Sequence, residues 1–175
     1  MRYYSLPALA VMAACSSISV HAADTASTAL PAPQLNMLFR YRLEAMDQDG
    51  LAENALANTL LSRFSLTQNL SHGWSAGGEF DYVAAIGDKN YNDSINGKTA
   101  YPVVADPAGA DLNQAFVMYQ SDSQSQTLKI GRQRINLANE RFVGGVGWRQ
   151  NEQTFDAVRY QASLSSELKL DYSYS

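Results

Sequence analysis

The chain is poor in cysteine and histidine. It holds one Cys and two His among its 175 residues, so neither a disulfide framework nor a Cys/His metal site can be assembled from it. A secreted protein of this composition must be stabilised by other means, and the backbone pairing of a closed sheet would serve. The formal net charge is also small, at -4, which argues against nucleic acid as a partner. No cofactor is expected.

Long apolar runs are absent as well. The longest, from Leu6 to Val20, is shorter than the ~20 residues that a transmembrane helix needs. It precedes a Val-His-Ala tripeptide with small residues at the two positions that signal peptidase reads. We therefore expect residues 1–22 to be a Sec signal peptide that is removed after Ala22. Lipidation at Cys15 is the alternative, and the processing site fits the sequence better.

A change of pattern near residue 37 divides the mature chain. Residues 23–36 are small, contain proline and show no periodicity, which predicts a flexible periplasmic leader. Residues 37–175 instead alternate apolar with polar residues, and this predicts strands with one face against an apolar phase and the other against water. The seven predicted strands are residues 39–46, 59–67, 74–86, 112–120, 127–134, 155–163 and 168–175.

The clearest strand begins at Phe39. Phe39 and Tyr41 point to one side of it, whereas Arg40, Arg42 and Glu44 point to the other. Three ionised positions in a row fit the water face of a soluble sandwich. They fit equally well the inside of a barrel whose aromatic rows face lipid.

The connections between the strands alternate in length. The long ones are residues 47–58, 87–111 and 136–154, and the short ones are residues 68–72, 121–126 and 163–167. Transmembrane barrels have long outer loops and short periplasmic turns, whereas a sandwich has no such asymmetry. The alternation therefore favours an all-β, antiparallel up-and-down transmembrane β-barrel. Residues 51–58 are rich in alanine and could form a short helix.

Five arginines lie between Gly131 and Arg159, interleaved with Gln, Asn, Glu and Gly. No face of this segment is apolar enough to be a buried core. Its composition would also suit a basic surface loop of a soluble protein, but predicted strands flank it on both sides. We therefore expect residues 135–154 to fold into the lumen of the barrel as a constriction, where charged groups govern selectivity.

Seven strands cannot complete a bacterial single-chain barrel, in which the number of strands is even. An open sheet in a membrane would leave backbone N–H and C=O groups unpaired in hydrocarbon, at a cost of several kcal/mol each. We expect residues 37–175 to be the N-terminal part of a barrel truncated at its C-terminus. With ~20 residues for each strand and connection, a barrel of about 16 to 18 strands needs roughly 350 residues.

Several motifs between residues 37 and 165 are more specific than the alternation. They are Phe39-Arg-Tyr-Arg-Leu-Glu with Asp47-Gln-Asp-Gly, Glu79-Phe, Tyr101-Pro-Val-Val-Ala-Asp-Pro, and above all Gly131-Arg-Gln-Arg-Ile-Asn-Leu-Ala-Asn-Glu-Arg-Phe-Val-Gly with Gly147-Trp-Arg-Gln-Asn-Glu-Gln-Thr-Phe-Asp. Together they resemble the N-terminal part of proteobacterial outer-membrane porins of the alginate-export type. The resemblance implies a large monomeric barrel, in contact with the lipid of the Gram-negative outer membrane. It also implies a pore lined by arginines and acidic residues that passes anionic polysaccharide or smaller solutes.

The chain departs from the family pattern in two ways. Leu61 stands at an inward position where a basic residue is expected, and the sequence is much shorter than that of the family. Relatives near this sequence are often simply called porins. A general diffusion porin with no role in alginate export therefore stays open, as does a soluble periplasmic sugar-binding sandwich.

The leading interpretation is a passive channel for anionic or neutral hydrophilic solutes. Its candidate pore-lining or substrate-binding residues are Arg40, Arg42, Glu44, Arg63, Glu79, Asp81, Arg132, Arg134, Arg141, Arg149 and Arg159. Charge rings of this kind set the selectivity of pores. Any one of these residues could instead belong to an ion-pair ladder that stabilises a polar lumen.

An enzyme would need a nucleophile beside a base, or a pair of tuned carboxylates. After signal removal His72 is the one histidine left, and it lies in a short predicted turn. Glu79 and Asp81 share a face, but no acid-base motif surrounds them. Residues 88–93 resemble the opening of a calcium loop but lack the Gly and the Glu that an EF-hand requires. We predict no catalytic site and no metal site.

Overall fold

The computed structural model describes residues 30–175. The predicted signal peptide, the alternative lipidation site at Cys15 and residues 23–29 of the predicted leader lie outside the described residues. Within residues 30–175 the fold is all-β, which confirms the predicted fold class. This part of the chain contains no helix that is long and apolar enough to cross a membrane.

Seven strands form one sheet. They are β1 (Gln34–Met46), β2 (Ala55–Asn69), β3 (Trp74–Ala85), β4 (Gly109–Gln120), β5 (Gln126–Gln133), β6 (Phe155–Ser163) and β7 (Lys169–Tyr174). Each strand pairs antiparallel with the next one along the chain, so the order in the sheet is the order in the sequence. β1 and β7 are the two edges of this open sheet. Residues 34–36, which the pattern assigned to the leader, are paired with β2.

The connections alternate between long and short, as predicted. Residues 70–73, 121–125 and 164–168 form short turns at one end of the sheet, and residues 47–54, 86–108 and 134–154 form longer loops at the other. The predicted short helix at residues 51–58 is wrong, because Ala55–Asn58 belong to β2. Ala55 and Ala57 pack beneath Tyr91 and Val104 of the second long loop, so tertiary burial overrides the helix propensity of alanine.

The register gives the sheet two unlike faces. We call the one that carries Phe39, Phe64 and Phe80 the apolar face, and the one that carries Arg40 and Arg63 the polar face. The three phenylalanines are 51%, 39% and 46% exposed, and the rings of Phe39 and Phe64 meet edge to face with centroids 6.2 Å apart. No other layer of the described chain covers the apolar face, as expected of a surface in contact with lipid.

A β-bulge explains why the alternation is blurred in β4. Glu79 pairs with Gln114 and Phe80 with Leu112, so Asn113 is an extra residue in the ladder. Both Asn113 and Gln114 are consequently buried on the polar face. Bulges commonly redirect a side chain toward a functional site, and here the side chain is the Asn113 amide.

The inward position of Phe116 also has a local cause. Its ring lies across Gly77 of the neighbouring strand, where an added Cβ would come within 2.4 Å of the ring. A glycine in a strand is often covered in this way by an aromatic ring of the adjacent strand. Phe116 therefore lies on the polar face as a cover for Gly77.

Two of the long loops fold back onto the polar face. The loop of residues 86–108 covers the start of β2 through Tyr91 and Val104, which are fully buried. The second, residues 134–154, lies against β1, β2 and β3 and is called the docked loop below. The main-chain N–H of Gln150 in the docked loop donates to Asp106 Oδ1 of the first loop at 2.9 Å. Loop-to-loop and loop-to-sheet contacts therefore form one continuous layer.

Candidate functional site

A buried ion cluster lies where the docked loop meets β2 and β3. It consists of two guanidinium groups and three carboxylates, those of Arg63, Arg134, Glu79, Asp81 and Glu152. The strand residues are there because Arg63 pairs directly with Asp81 and lies diagonal to Glu79 across the β2–β3 ladder. Opposite charges at such cross-strand positions attract one another.

Arg63 is the centre of the cluster. Its Nε and Nη2 donate to the two oxygens of Asp81 at 2.8 and 2.6 Å, which is the bidentate geometry favoured by guanidinium and carboxylate. Its Nη1 donates to Glu152 Oε1 at 2.9 Å, and Nε lies 3.2 Å from Glu79 Oε1. All three carboxylate side chains are at most 8% exposed. One guanidinium therefore forms ion pairs with three buried carboxylates.

The bulge completes the hydrogen bonding of Glu79. Asn113 Nδ2 donates to Glu79 Oε1 at 2.7 Å, and Ser65 Oγ donates to Oε2 at 2.8 Å. Arg134 also donates to Glu79. Buried carboxylates are stabilised when each oxygen has donors, and the extra residue in β4 supplies one of them.

The Glu152 carboxylate attaches the docked loop to β2 through Arg63. Its carboxylate accepts hydrogen bonds from Arg63 and from Arg134. Burial raises the pKa of Glu152, but the hydrogen bonds and positive charges of the two guanidiniums outweigh burial and hold that pKa below its ordinary value of 4.5. At neutral pH the loop is therefore attached through an ionised carboxylate.

The guanidinium of Arg40 binds two main-chain carbonyls and one side chain of the docked loop. Its Nη1 donates to the carbonyl of Gly147 at 2.9 Å, its Nη2 donates to the carbonyl of Arg149, and its Nε donates to Gln150 Oε1 at 2.9 Å. Five N–H donors in a fixed plane allow arginine to satisfy several carbonyls at once. The sequence predicted an inward Arg40, but it contained no signal that its partners would be loop carbonyls.

The remaining charges of β1 meet the loop in the same region. Arg42 donates to the carbonyl of Trp148 at 2.6 Å and to Glu44 Oε2 at 2.5 Å. Arg149 donates to the same Glu44 oxygen at 3.2 Å. The carboxylate of Asp106 is fully buried and lies 3.9 Å from Arg42 and 3.7 Å from Arg149. We call these four charged residues, together with the neighbouring Arg40, the β1 cluster: Arg40, Arg42, Glu44, Arg149 and Asp106.

Gln150 is the most deeply anchored residue of the docked loop. It is fully buried, and its amide Nε2 donates to the carbonyls of Arg40 and Thr59 at 3.1 and 3.2 Å and to Thr59 Oγ1 at 3.0 Å. Sequence reasoning did not single out Gln150 or Asp106. Both are ordinary polar loop residues until the fold brings them to the sheet.

Lys129 is a further charge on the polar face, and it is not among the site residues predicted from the sequence. Its Nζ lies 3.6 Å from the centre of the Phe116 ring and 3.5 Å from Gln114 Oε1. Among residues 30–175 it forms no salt bridge with a carboxylate. The alternation of Leu128, Lys129 and Ile130 places it opposite two apolar residues, and that pattern could have predicted its position on the polar face.

The other predicted residues lie apart from both clusters. Arg159 is on the polar face and donates to Asp171 at 2.9 and 2.5 Å. Arg141 lies exposed near the tip of the docked loop with its guanidinium 5.8 Å from the Phe142 ring, and it forms no salt bridge within the described chain. Leu61, where the family pattern suggests a basic residue, is fully buried under the loop.

Arg132 does not lie on the polar face. It shares the side of β5 that carries Ile130, and it pairs with Asp156 of β6. Its partner carboxylate is 70% exposed. Arg134, two residues further on, reaches the polar face because β5 ends at Gln133 and the chain turns there. Alternation along β5 would place Arg134 on the apolar face, and it fails because Arg134 lies beyond the end of the strand.

An antiparallel up-and-down sheet with an exposed aromatic face and a charged, loop-covered face defines the class of outer-membrane β-barrel transport proteins. The particular family follows from a comparison with protein families, in which the model described as alginate export matches residues 34–174. The chain therefore belongs to the alginate export family, a family of outer-membrane transport proteins. No curated protein and no solved structure matches it significantly.

Proposed function

We propose that the polar face lines the lumen of an outer-membrane channel, which a Sec signal peptide directs to the membrane. In this channel the docked loop narrows the passage, and small hydrophilic solutes, anions in preference to cations, cross passively. A uronate-type polysaccharide is the solute class that the family suggests.

The observation that carries the proposal is the attachment of residues 147–152 to the polar face. Three loop carbonyls accept hydrogen bonds from Arg40 and Arg42, and Glu152 is held by Arg63 and Arg134. A loop fixed in this way cannot swing out of the lumen without breaking buried ion pairs. It thus supplies the stable constriction that selectivity requires.

The charges available to a solute are fewer than the sequence suggests. Most arginines of the polar face are matched by carboxylates of the two clusters or by Asp171. Four cations of the polar face and the docked loop form no such pair in residues 30–175: Arg40, Lys129, Arg141 and Lys169. Arg40 is covered by the loop oxygens that it binds, and Lys169 lies on the edge strand β7, away from the docked loop. We therefore assign the preference for anions to Lys129 in the wall and to Arg141 at the loop tip.

A general diffusion porin without a role in alginate export is the second candidate. The pairing of charges favours it, because the buried ion cluster holds two cations against three anions and so adds no positive potential. In that case the channel would be only weakly selective.

Single-channel reversal potentials of the full-length protein under a salt gradient test the proposal. The wild type should favour anions. Removing one unit charge about 10 Å from the ion path in water changes the energy of an ion by ~0.4 kcal/mol, or about twofold in permeability. The variant Lys129→Gln should therefore shift the reversal potential toward cations, and adding Arg141→Gln should shift it further.

The matched control is Lys129→Arg, which keeps the charge and should keep the selectivity. An unchanged reversal potential in the double variant would mean that both cations lie outside the conducting path. The general-porin interpretation would then replace the anion-selective one.

A further inference from the structure

A pocket of about 440 Å³ lies in the docked loop, and Trp148 alone of its lining also contacts arginines of the β1 cluster. Its lining residues are Ala138, Asn139, Glu140, Gly144, Val146 and Trp148. We call it the tip pocket. Its volume falls in the range of ~300–1,000 Å³ in which small-molecule sites occur. None of the charge pairs that attach the loop to the sheet uses a side chain of this lining.

The backbone around the tip pocket contains residues in rare conformations, and a hydrogen bond within the loop holds part of it. Ala138, Glu140 and Val146 have positive φ values of 51°, 60° and 52°, a conformation that costs non-glycine residues energy. The main-chain N–H of Gly145 donates to Asn136 Oδ1 at 2.8 Å. Backbone in such rare conformations is concentrated at ligand sites.

Trp148 forms an aromatic wall of the pocket. It is 60% exposed, yet it is held in place because guanidinium groups of Arg42 and Arg149 lie 5.1 and 4.2 Å from its ring centre. Its carbonyl is also bound by Arg42. The face of an indole ring is electronegative and attracts weakly positive C–H groups. The two guanidiniums already use part of this ring, and the exposed remainder can meet the apolar C–H face of a pyranose ring.

Glu140 supplies the polar side of the pocket. Its carboxylate forms no salt bridge within residues 30–175, and Gly144 leaves space for it, since a Cβ at Gly144 would come within 2.6 Å of Glu140 Cβ. An unpaired carboxylate accepts hydrogen bonds from neighbouring hydroxyls, whereas it repels another carboxylate. Asn139 Oδ1 accepts from the main-chain N–H of Arg141 at 3.3 Å, which leaves its amide Nδ2 to donate.

We propose that the tip pocket binds one pyranose ring of a neutral saccharide. The ring stacks on Trp148, and its hydroxyl groups bond to Glu140 and Asn139. This site goes beyond the proposed anion channel, and it rests on that function in placing the docked loop along the solute path. It would give the channel a contact for uncharged sugars that differs in chemistry from Lys129 and Arg141.

Isothermal calorimetry on the full-length protein in detergent tests the proposal with three probes. These are maltohexaose as the neutral saccharide, an oligomannuronate as the anionic one, and tetramethylammonium, which also suits an aromatic ring beside a carboxylate. Maltohexaose should bind at millimolar concentration or below, and more tightly than the other two. Oligomannuronate binding tighter than maltohexaose, or binding of tetramethylammonium alone, would overturn the neutral-sugar assignment.

Two variants connect the binding to the pocket. Trp148→Ala should weaken maltohexaose binding at least about tenfold through loss of stacking, and Glu140→Gln should weaken it about tenfold through loss of charged hydrogen bonds. The control Trp74→Phe changes the other tryptophan of the chain, on the apolar face, and should leave binding unchanged. Glu140→Gln alters an exposed loop residue, so it remains informative if Trp148→Ala fails to fold.

Binding that is equal in Glu140→Gln and wild type would overturn the proposal. So would binding that is equal in Trp148→Ala and wild type, or no binding of maltohexaose to the wild type at all. Calorimetry needs no conducting channel, so these outcomes are separate from the reversal potentials. A protein that binds maltohexaose but lacks anion preference would retain the tip pocket and lose the proposed selectivity.

Discussion

Two arginine-aspartate pairs on opposite faces of the sheet have almost the same geometry. Arg63 donates to both oxygens of Asp81 at 2.8 and 2.6 Å, and Arg132 donates to both oxygens of Asp156 at 2.9 Å. Both pairs join neighbouring strands. Their surroundings differ, because the first pair lies under the docked loop and the second lies open on the apolar face near the loop end of its strands.

The difference shows that burial, rather than hydrogen-bond geometry, determines how much an ion pair contributes to stability. The side chains of Arg63 and Asp81 are 10% and 6% exposed, against 37% and 70% for Arg132 and Asp156. Solvent screens an exposed pair so strongly that many contribute little. In a buried pair the loss of one partner leaves an uncompensated charge. Arg63 in addition serves Glu79 and Glu152.

The largest effect is expected from Arg63→Met. The change removes the one cation that contacts all three buried carboxylates and leaves only Arg134 beside them, so the protein should lose about 3–5 kcal/mol of unfolding free energy. Denaturant unfolding of the full-length protein in detergent, followed by the heat-modifiable mobility of the folded barrel, would measure the loss.

The conservative variant Arg63→Lys makes this comparison sharper. Lysine keeps the charge but cannot form the bidentate pair or reach three carboxylates in one plane, so an intermediate loss is expected. If Arg63→Met were as stable as the wild type, the buried ion cluster would have no role in holding the loop.

An intermediate effect is expected from acid. The pKa of Glu152 in the folded protein is depressed below 4.5, so its contribution is complete above pH 4.5 and is lost as the pH falls through the folded pKa. The docked loop should therefore be attached at neutral pH and loosen in acid. Hydrogen exchange of the amides of residues 147–152, corrected for the intrinsic rate, should accelerate in that range.

Glu152→Gln is the control for this titration. It removes the ionisable group, so exchange in the docked loop should already be faster at neutral pH and should depend less on acid than in the wild type. The same acid response in both proteins would assign the titration to other carboxylates of the cluster.

The smallest effect is expected from the exposed pair. Arg132→Gln combined with Asp156→Asn should leave the denaturation midpoint unchanged within error, because the pair lies at the loop end of β5 and β6, where the proposed barrel meets water and solvent screens both charges. The same unfolding measurement applies, with Arg63→Met run alongside. A loss as large as that of Arg63→Met would show that exposure in the sheet does not weaken this pair.

The strands and their faces could be predicted because period-two alternation is a local property of the sequence. Arg40, Arg42, Glu44, Arg63, Glu79 and Asp81 all lie on the face that parity predicted. Arg132 and Arg134 have the same parity but lie on different faces, because β5 ends between them at Gln133. Alternation predicts the face of a side chain only inside a strand, and the ends of strands are predicted poorly from sequence.

The partners of the charged residues could not be predicted. The contacts of Arg40 with Gln150, and of Glu152 with Arg63, join residues 110 and 89 positions apart. No local pattern reports a contact between a loop and a distant strand. The bulge at Asn113 was also hidden, since one extra residue in β4 looks like a weak alternation until the ladder register is known.

The same separation in sequence has a kinetic consequence. Every strand of this sheet pairs with its immediate neighbour in the chain, so its hairpins close short stretches, whereas attachment of the docked loop to β1 closes a stretch of more than 100 residues. The loop should therefore dock after the hairpins have formed. If docking follows the folding transition state, weakening the contacts of Gln150 should speed unfolding while leaving the folding rate nearly unchanged.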